Sequence, residues 1–296
     1  MKRAKIERIL CPVDFSEFSV LAFAYASSLA HHCGAKLFAQ HVVEVWQYPS
    51  ANFAPDADTY QAFCATMLSQ GEARLRAFIQ ANRQHDVDPE CVAGQGTAAD
   101  FILSFAKQHG IDLIVMGTHG FRGLDRLMLG SVTERVLRGA QCPVLAVPKL
   151  PAEVVASATS GDEIQLRRII ACTDFSESSN EAVGYAISVA EEYNADLTLA
   201  HVLEGVSTSG CVEDTATAYR RMDELIPART NLGLKIDHAV RIGRAYREIG
   251  QLARETHADL VIMAVHGRNS LDDAIFGSTT YRVIQSGTCP VLAIHG

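Results

Sequence analysis

Short apolar runs alternate along this chain with stretches of helical periodicity, and turn residues separate them. That alternation is typical of successive β-α-β units and predicts a parallel sheet with helices on both faces. Residues 113–116 and 260–263 are apolar at every position, which suits strands buried on both sides. In the first half of the chain the predicted strands are residues 8–13, 36–43, 89–92, 113–116 and 144–147.

The pattern occurs twice. Residues 14–17, Asp-Phe-Ser-Glu, return at 174–177, and a later Cys-Pro-Val-Leu-Ala at 142–146 returns at 289–293. The offset changes once, so the second copy is shorter in the region between its second and third strands. We therefore expect two tandem domains, residues 1–149 and 166–296, joined by a linker at 150–165 that is rich in small and polar residues.

Residues 18–35 carry no formal charge, as a membrane span would, but the matching helix of the second copy contains three glutamates. We interpret both as amphipathic helices and expect no membrane segment and no signal peptide. Ser16 is the candidate N-cap of the first helix. Gly34 and Asn194, at equivalent positions, are suited to a left-handed helix end.

The composition of the chain argues against several classes of function. The 296 residues carry a net charge of −8 with a pI near 5.8, which argues against nucleic-acid binding. Eight cysteines occur, but none in a Cys-x-x-Cys pair. Buried free thiols are therefore favoured over a zinc site or disulfides, and a reducing cytoplasm is the expected location. The cluster His31-His32-Cys33 is interpreted as an ordinary last helical turn, and no metal site is predicted.

Ligands of such sheets bind beyond the carboxyl ends of the strands. Asp14 and Asp174 follow the first strand of each copy, after Val13 in the first. Either these carboxylates face a ligand or they help to cap the next helix. The fourth strand leads into Gly117-Thr118-His119-Gly120, and a helix starts after Gly130 with Ser131, Val132 and Thr133. Glycines beside a helix amino terminus form a candidate phosphate site without a lysine.

At this Gly-x2-Gly-x9-Gly-Ser spacing, and over nearly its whole length, the chain resembles the universal stress protein family in its ATP-binding branch. The resemblance implies two tandem Rossmann-like, adenine nucleotide α hydrolase-like domains. Each would be a five-stranded parallel doubly wound sheet with helices on both faces. It also implies an adenine nucleotide, ATP with Mg²⁺ or Mn²⁺ as an option, held between the first and fourth strand exits.

Carried over to this chain, the resemblance places Asp14 near the ribose and adenine, the Val42 backbone at the base, and Gly117, Gly120, Gly130 and Ser131 around the phosphates. The neighbouring motif residues Val13, His119, Arg122, Val132 and Thr133 complete the predicted first site. The matching second-copy set is Asp174, Val202, His266, Gly267, Gly277, Ser278 and Thr279.

The second copy departs from the motif because Ala264 stands where the first has Gly117. Its loop also carries a charge of −1 against +1 in the first. We therefore expect the better nucleotide site in the first copy, with the added methyl of Ala264 as an obstacle to a ligand.

Other sequence motifs give weaker evidence about function. No P-loop sequence occurs. The string Gly94-Gln95-Gly96-Thr97-Ala98-Ala99 resembles a dinucleotide fingerprint, but it follows a strand expected at the sheet edge. His119 is interpreted as a residue that positions its loop rather than as a proton shuttle, and no catalytic residue is predicted.

The last strands of the two copies are apolar edges, so we expect them to pair within one chain as a pseudo-dimer, with a homodimer as a further option. The expected function is that of a nucleotide-binding, non-catalytic stress-response regulator. The alternatives are a slow ATP hydrolase and a scaffold for a non-nucleotide ligand.

Overall fold

The computed structural model describes residues 5–44, 56–119, 129–161, 163–204, 215–228, 230, 233–265 and 278–295. Contacts divide the chain into two compact units. The first unit comprises Ile6–Cys142 and Pro151–Ile164. The second unit comprises Met1–Lys5, Pro143–Leu150 and Gln165–Gly296.

The first unit has a parallel sheet in the order β3-β2-β1-β4. Its elements are β1 (Arg8–Pro12), α1 (Glu17–Cys33), β2 (Lys36–Val43), α2 (Ala57–Ala81), β3 (Glu90–Gln95), α3 (Ala98–His109), β4 (Leu113–Gly117), α4 (Ser131–Gly139) and, after a strand that belongs to the second unit, α5 (Ala152–Thr159). The chain runs outwards from β1 to β3 and then returns to β4 on the other side of β1. The switch point therefore lies between β1 and β4, as expected for a doubly wound sheet.

Helices cover both faces of this sheet. The Phe38 ring on β2 packs against Phe105 of α3 at 5.5 Å. His41 and Val43 are an odd number of residues from Phe38 along β2, so their side chains lie on the other face of the sheet. Both lie close to Gly71 of α2, where a Cβ would be 2.6 Å from Val43 Cγ2. Because successive side chains of a strand point to opposite faces, α2 and α3 pack on opposite faces. The predicted α/β class is confirmed.

The second unit repeats this arrangement in the sheet order β5-β10-β9-β6-β7-β8. Its elements are β5 (Val144–Val147), β6 (Arg168–Cys172), α6 (Glu177–Tyr193), β7 (Asp196–Leu203), α7 (Thr215–Glu224), β8 (Ile236–Ile242), α8 (Ala245–Glu255), β9 (Leu260–Ala264), α9 (Ser278–Ser286) and β10 (Val291–Ile294). β5 pairs antiparallel with β10, Leu145 opposite Leu292, whereas the other pairs are parallel.

The predicted helix ends are confirmed. Ser16 caps α1 by accepting a hydrogen bond from the Ser19 amide at 3.2 Å, and Ser176 does the same for α6. Gly34 and Asn194 end these helices at φ 62° and 50°. Local chemistry sets these boundaries, so the sequence alone was enough to place them.

The segment predicted as a linker contains α5, which packs against α1 in the first unit. The Ile164 amide donates to Ser28 Oγ at 2.8 Å, and His32 Nδ1 lies 2.7 Å from Glu163 Oε1. Small residues such as those of α5 gave no clear helical periodicity, so this helix was missed. Among the described helices, none combines the length and apolarity that a membrane crossing requires.

Candidate functional site

The exits of β1 and β4 lie side by side in the first unit, since Ile9 pairs with Leu113 and Leu10 with Ile114. β6 and β9 repeat this arrangement, with Ile169 opposite Leu260. Of the predicted site residues that the structure describes, all except Val42 and Val202 lie at the ends of these paired strands, directly after them or at the start of the next helix. Val42 and Val202 lie near the ends of β2 and β7. Gly120, Arg122, His266, Gly267 and Gly277 lie outside the described residues.

Asp14 is exposed at the end of β1, where its carboxylate organises the following turn. Its Oδ1 accepts hydrogen bonds from the Ser16 amide at 3.1 Å, from Ser16 Oγ at 2.6 Å and from Ser19 Oγ. Asp174 accepts the two corresponding bonds from Ser176, at 3.0 and 2.6 Å. The capping role considered for both aspartates is therefore present in the structure.

A stack of three side chains beside Asp14 was not predicted. Phe15 adopts a left-handed backbone with φ 66°, and its ring lies 4.4 Å from that of His41 and 4.1 Å from the Arg74 guanidinium. His41 Nδ1 is 2.8 Å from the Val13 carbonyl. Burial lowers the pKa of His41, and the nearby Arg74 charge lowers it further.

The second copy has the same stack, built from Phe175 at φ 62°, His201 and Arg221. A phenylalanine at positive φ is a strained position that costs roughly 1–2 kcal/mol. Sequence periodicity carries no signal for it, because the conformation depends on where the ring packs.

Two hydrogen bonds join the end of β4 to the start of α4. The Gly130 amide donates to the Thr118 carbonyl at 2.9 Å, and Thr133 Oγ1 donates to the Gly117 carbonyl at 2.9 Å. Thr133 is buried, so its hydroxyl fixes the helix to the strand. In the second copy Thr280 donates to the Ala264 carbonyl at 2.7 Å, next to Ser278 and Thr279.

The amino terminus of α4 has the geometry of an anion site. Its N-cap is Gly130, which has no side chain to cap the helix, and the first intrahelical bond is that of the Glu134 amide to the Gly130 carbonyl. The amides of Ser131, Val132 and Thr133 precede that bond and have no acceptor within the helix. The positive end of the helix dipole adds to their attraction for a phosphate.

Gly117 has a packing role that changes our interpretation of Ala264. A Cβ at residue 117 would lie 2.8 Å from Phe18 Cβ and 3.2 Å from the Phe18 carbonyl group, so the hydrogen of this glycine faces α1. In the second copy Ala264 is matched by Ser178 at the position of Phe18. A Cβ at the equivalent Gly117 faces this helix, so the expected obstruction of a ligand does not follow from the methyl of Ala264. Ser178 keeps the Cβ and the carbonyl group that such a methyl would meet, so its smaller side chain does not by itself explain Ala264.

His119 is supported by residues that the second copy lacks. Its Nδ1 is 2.9 Å from Thr118 Oγ1, and its ring lies 5.2 Å from that of Phe18. Burial lowers the pKa of His119, which favours the neutral imidazole. Val265 and Ser178 occupy the positions of Thr118 and Phe18 in the second copy.

Gln40 is another difference between the copies that the sequence analysis missed. It is 1% exposed on β2, and within the described structure neither atom of its side-chain amide has a hydrogen-bond partner. Its register neighbours are Pro12 on β1 and Val92 on β3. The second copy has Ala200 at this position, so the buried amide is specific to the first copy.

The backbone of Val42 lies near the end of β2, where it pairs with Gly94 of β3, and Val202 pairs with Arg241. Gly94 is needed because a Cβ there would lie 2.0 Å from the Phe101 ring. Gly96 and its counterpart Gly243 have φ of 139° and 149°. Packing and backbone conformation thus explain the glycines of the fingerprint-like string, and β3 lies at the end of the strand order given for its unit.

A duplicated α/β fold, with a helix that begins at the switch point of the first unit without a side-chain cap, defines the class of protein. The sequence profile of the universal stress protein family matches residues 5–148 and 165–295. A universal stress protein of Methanocaldococcus jannaschii is 33% identical over 143 residues, covering 48% of this chain and 82% of that protein. One from Mycolicibacterium smegmatis is 24% identical over 309 residues, covering 97% and 96%.

A solved structure extends the similarity to the whole fold. The crystal structure of a universal stress protein from Archaeoglobus fulgidus superposes with a TM-score of 0.68 at 24% identity, over 99% of this chain and 97% of that one. The chain belongs to the universal stress protein family and contains two tandem domains of it.

Proposed function

We propose that the first domain binds an adenine nucleotide, ATP, and that the protein acts as a non-catalytic regulator in a stress response. The observation that carries this proposal is the start of α4, where three main-chain amides precede the first intrahelical bond and no side chain caps them. A triphosphate with a bound Mg²⁺ or Mn²⁺ suits such a terminus. The glycine spacing of the ATP-binding branch supports the same ligand.

In this proposal the nucleotide spans the switch point. The phosphates bind at Gly117, Gly120, Gly130 and the first turn of α4, and the ribose and base lie towards Asp14 and the Val42 backbone. Thr133 contributes its amide, since its hydroxyl donates to the Gly117 carbonyl. Arg122 adds positive charge to the loop.

Two substitutions and the loop charge support the first domain as the better site. Thr118 and Phe18 of the first copy are Val265 and Ser178 in the second. Thr118 and Phe18 hold His119 beside the proposed phosphates, and the loop charge of +1 against −1 acts in the same direction. The second site, at Asp174, Val202, His266, Gly267, Gly277, Ser278 and Thr279, is weaker in this proposal.

Calorimetric titration of the full chain with ATP and Mg²⁺ tests the proposal. Gly120→Val with Gly130→Val places side chains at the phosphates, and we expect an affinity loss of about a hundredfold or more. Gly267→Val with Gly277→Val is the matched control in the second copy and should change the tight site by less than about threefold. Equal ATP affinity in the wild type and the first variant contradicts the proposal.

Two further measurements on the wild-type protein distinguish a regulator from a slow ATP hydrolase and from a scaffold. A regulator that works through its bound state retains ATP over hours, whereas a slow hydrolase releases ADP steadily. Mass spectrometry of molecules that copurify with the chain identifies a non-nucleotide ligand if the protein is a scaffold instead.

We further propose that the protein acts in the cytoplasm and that the β5–β10 edge makes the chain an intramolecular pseudo-dimer. Free thiols support the reducing location: burial raises the pKa of Cys172 and of Cys289 to about 12, so both remain protonated. The antiparallel pairing of β5 with β10 supports the pseudo-dimer.

A further inference from the structure

A cluster of arginines surrounds Tyr246 at the start of α8. The guanidinium of Arg282, on α9, lies 5.0 Å from the tyrosine ring centre, and that of Arg247 lies 5.7 Å from it. Arg247 Nε donates to the Tyr246 hydroxyl at 3.0 Å. Hydrogen bonds from Arg247 and Arg244 lower the pKa of this phenol. We call these four residues, Arg244, Tyr246, Arg247 and Arg282, the arginine–tyrosine surface.

The charges of this surface are not neutralised within the described parts of the chain. No carboxylate there forms an ion pair with Arg244, Arg247 or Arg282. Of the nearby acids, Glu255 pairs with Arg241, and Glu204 accepts a hydrogen bond from the Ala245 amide. The carboxylate of Glu248 lies close to Gly243 and forms no ion pair with these arginines in the described structure. All three arginines are exposed in a chain whose net charge is −8.

The first domain has no such cluster at the equivalent place. Thr97, Ala99 and Asp100 stand where the second has Arg244, Tyr246 and Arg247. Asp100 pairs with Arg135, the counterpart of Arg282, at 2.7 Å. The second domain therefore replaces an ion pair between neighbouring helices by two like charges with an aromatic ring between them, and the attraction of the ring for each guanidinium offsets part of their repulsion.

An exposed apolar side chain adjoins the arginines. Ile242, the last residue of β8, is 61% exposed and precedes Arg244 by two residues. Guanidinium groups that form no ion pair with any described residue, an aromatic ring and an exposed aliphatic side chain together are typical of protein-binding surfaces.

We propose that the arginine–tyrosine surface binds an acidic segment of a partner protein that also carries an apolar residue. Guanidinium groups bind carboxylates with paired hydrogen bonds, and an apolar side chain of the partner covers Ile242. The acidic character of the chain as a whole opposes a polynucleotide, whose charge extends well beyond the surface, more than it opposes a short peptide. This partner binds independently of any nucleotide.

Fluorescence anisotropy with a labelled peptide of glutamates around one central leucine tests this binding on the full chain at low ionic strength. Arg244→Thr with Tyr246→Ala and Arg247→Asp gives the surface the residues of the first domain. We expect this variant to bind the peptide about tenfold more weakly or worse. A peptide with glutamine in place of glutamate should not bind the wild type.

The matched control makes the same change of charge elsewhere. Arg76→Thr with Arg83→Asp, at exposed positions of the first unit, should alter binding by less than about twofold. Equal losses in the two variants indicate a general charge effect and overturn the proposal. It is also overturned if the wild type does not bind the peptide or binds a single-stranded RNA of equal charge more tightly.

A local probe adds a second criterion. With ¹³C-labelled isoleucine methyl groups, the signal of Ile242 is assigned by its loss in Ile242→Val. Addition of the peptide should shift this signal before those of the buried isoleucines. If the Ile242 signal stays in place while the peptide binds, the binding surface is elsewhere and the proposal is wrong.

Discussion

Gly117 and Phe18 face each other at the end of β4, and their counterparts are Ala264 and Ser178. In the second domain residue 264 carries a methyl and residue 178 has a smaller side chain than phenylalanine. A close-packed interior tolerates an added methyl only where its neighbour yields space.

We expect Gly117→Ala to reduce the free energy of unfolding of the first domain by about 1–3 kcal/mol, because its Cβ would lie 2.8 Å from Phe18 Cβ. Phe18→Ser in the same chain should not restore that loss, because serine keeps the Cβ and the carbonyl group that the added methyl would meet. Urea denaturation of the two single variants and the double variant gives the coupling energy. A double variant that is as stable as Phe18→Ser alone would show that the phenyl ring, and not these atoms, limits the space.

Gln40 is a buried polar residue whose side-chain amide has no hydrogen-bond partner in the described structure. Gln40→Met keeps the length of the side chain and removes the unsatisfied amide. We expect the free energy of unfolding to rise by about 1–2 kcal/mol, measured by urea denaturation without nucleotide. Ala200→Met, at the same position of the second copy, is the control and should not stabilise. A destabilised Gln40→Met would mean that the amide is satisfied in solution.

At the scale of the elements, Thr133 and Thr280 tie the helix that follows each fourth strand to the strand itself. Thr133→Val and Thr280→Val keep the shape of the side chain but leave a strand carbonyl without its donor. Each should reduce the free energy of unfolding by about 1–3 kcal/mol. Ser131→Ala, two residues earlier and exposed, should change it by less than about 0.5 kcal/mol. If Thr133→Val proves as mild as Ser131→Ala, the hydroxyl does not anchor α4.

The same elements show what could be predicted from the sequence. Ser16, Gly34 and Asn194 were predictable because a cap depends on its own residue and the adjacent turn. The switch point between the first and fourth strands was predictable from the family resemblance, since the β-α-β pattern indicates a parallel sheet but not the order of its strands. Thr133 was predicted to face a ligand, but its hydroxyl donates to Gly117, sixteen residues away in the chain. Such a partner becomes evident only when the strand and helix are brought together.

The interpretation of Ala264 as an obstacle stays a prediction, and the geometry of Gly117 removes one argument for it. Comparison of the two copies identified the substitution, but not the direction in which a Cβ points at this position. At the equivalent Gly117 that direction is towards Phe18 of α1. The stack of Phe15, His41 and Arg74 was missed because its members come from three separate elements.

At the scale of the whole molecule, the histidines make stability depend on pH. His41 and His119 have a lowered pKa in the folded protein, mainly through burial, against an ordinary value of 6.5. Below that value the unfolded chain binds protons that the folded chain resists, so stability present above pH 6.5 is lost as the pH falls.

We expect the melting temperature to fall on acidification through pH 6.5, and to fall less in His41→Gln with His119→Gln, since glutamine does not titrate. Differential scanning calorimetry across this range measures both slopes. Identical slopes in the wild type and the variant would show that these two histidines do not cause the pH dependence.

The grouping of β5 with the second unit has a practical consequence for anyone who divides this chain. A fragment of residues 166–296 contains the whole second sequence repeat, but it lacks β5. One edge of β10 would then have no strand to pair with. We expect that fragment to self-associate in sedimentation experiments, whereas one that starts at residue 143 can supply its own closing strand. The sequence repeat and the compact unit therefore differ by one strand, β5, which ends the first repeat but belongs to the second unit.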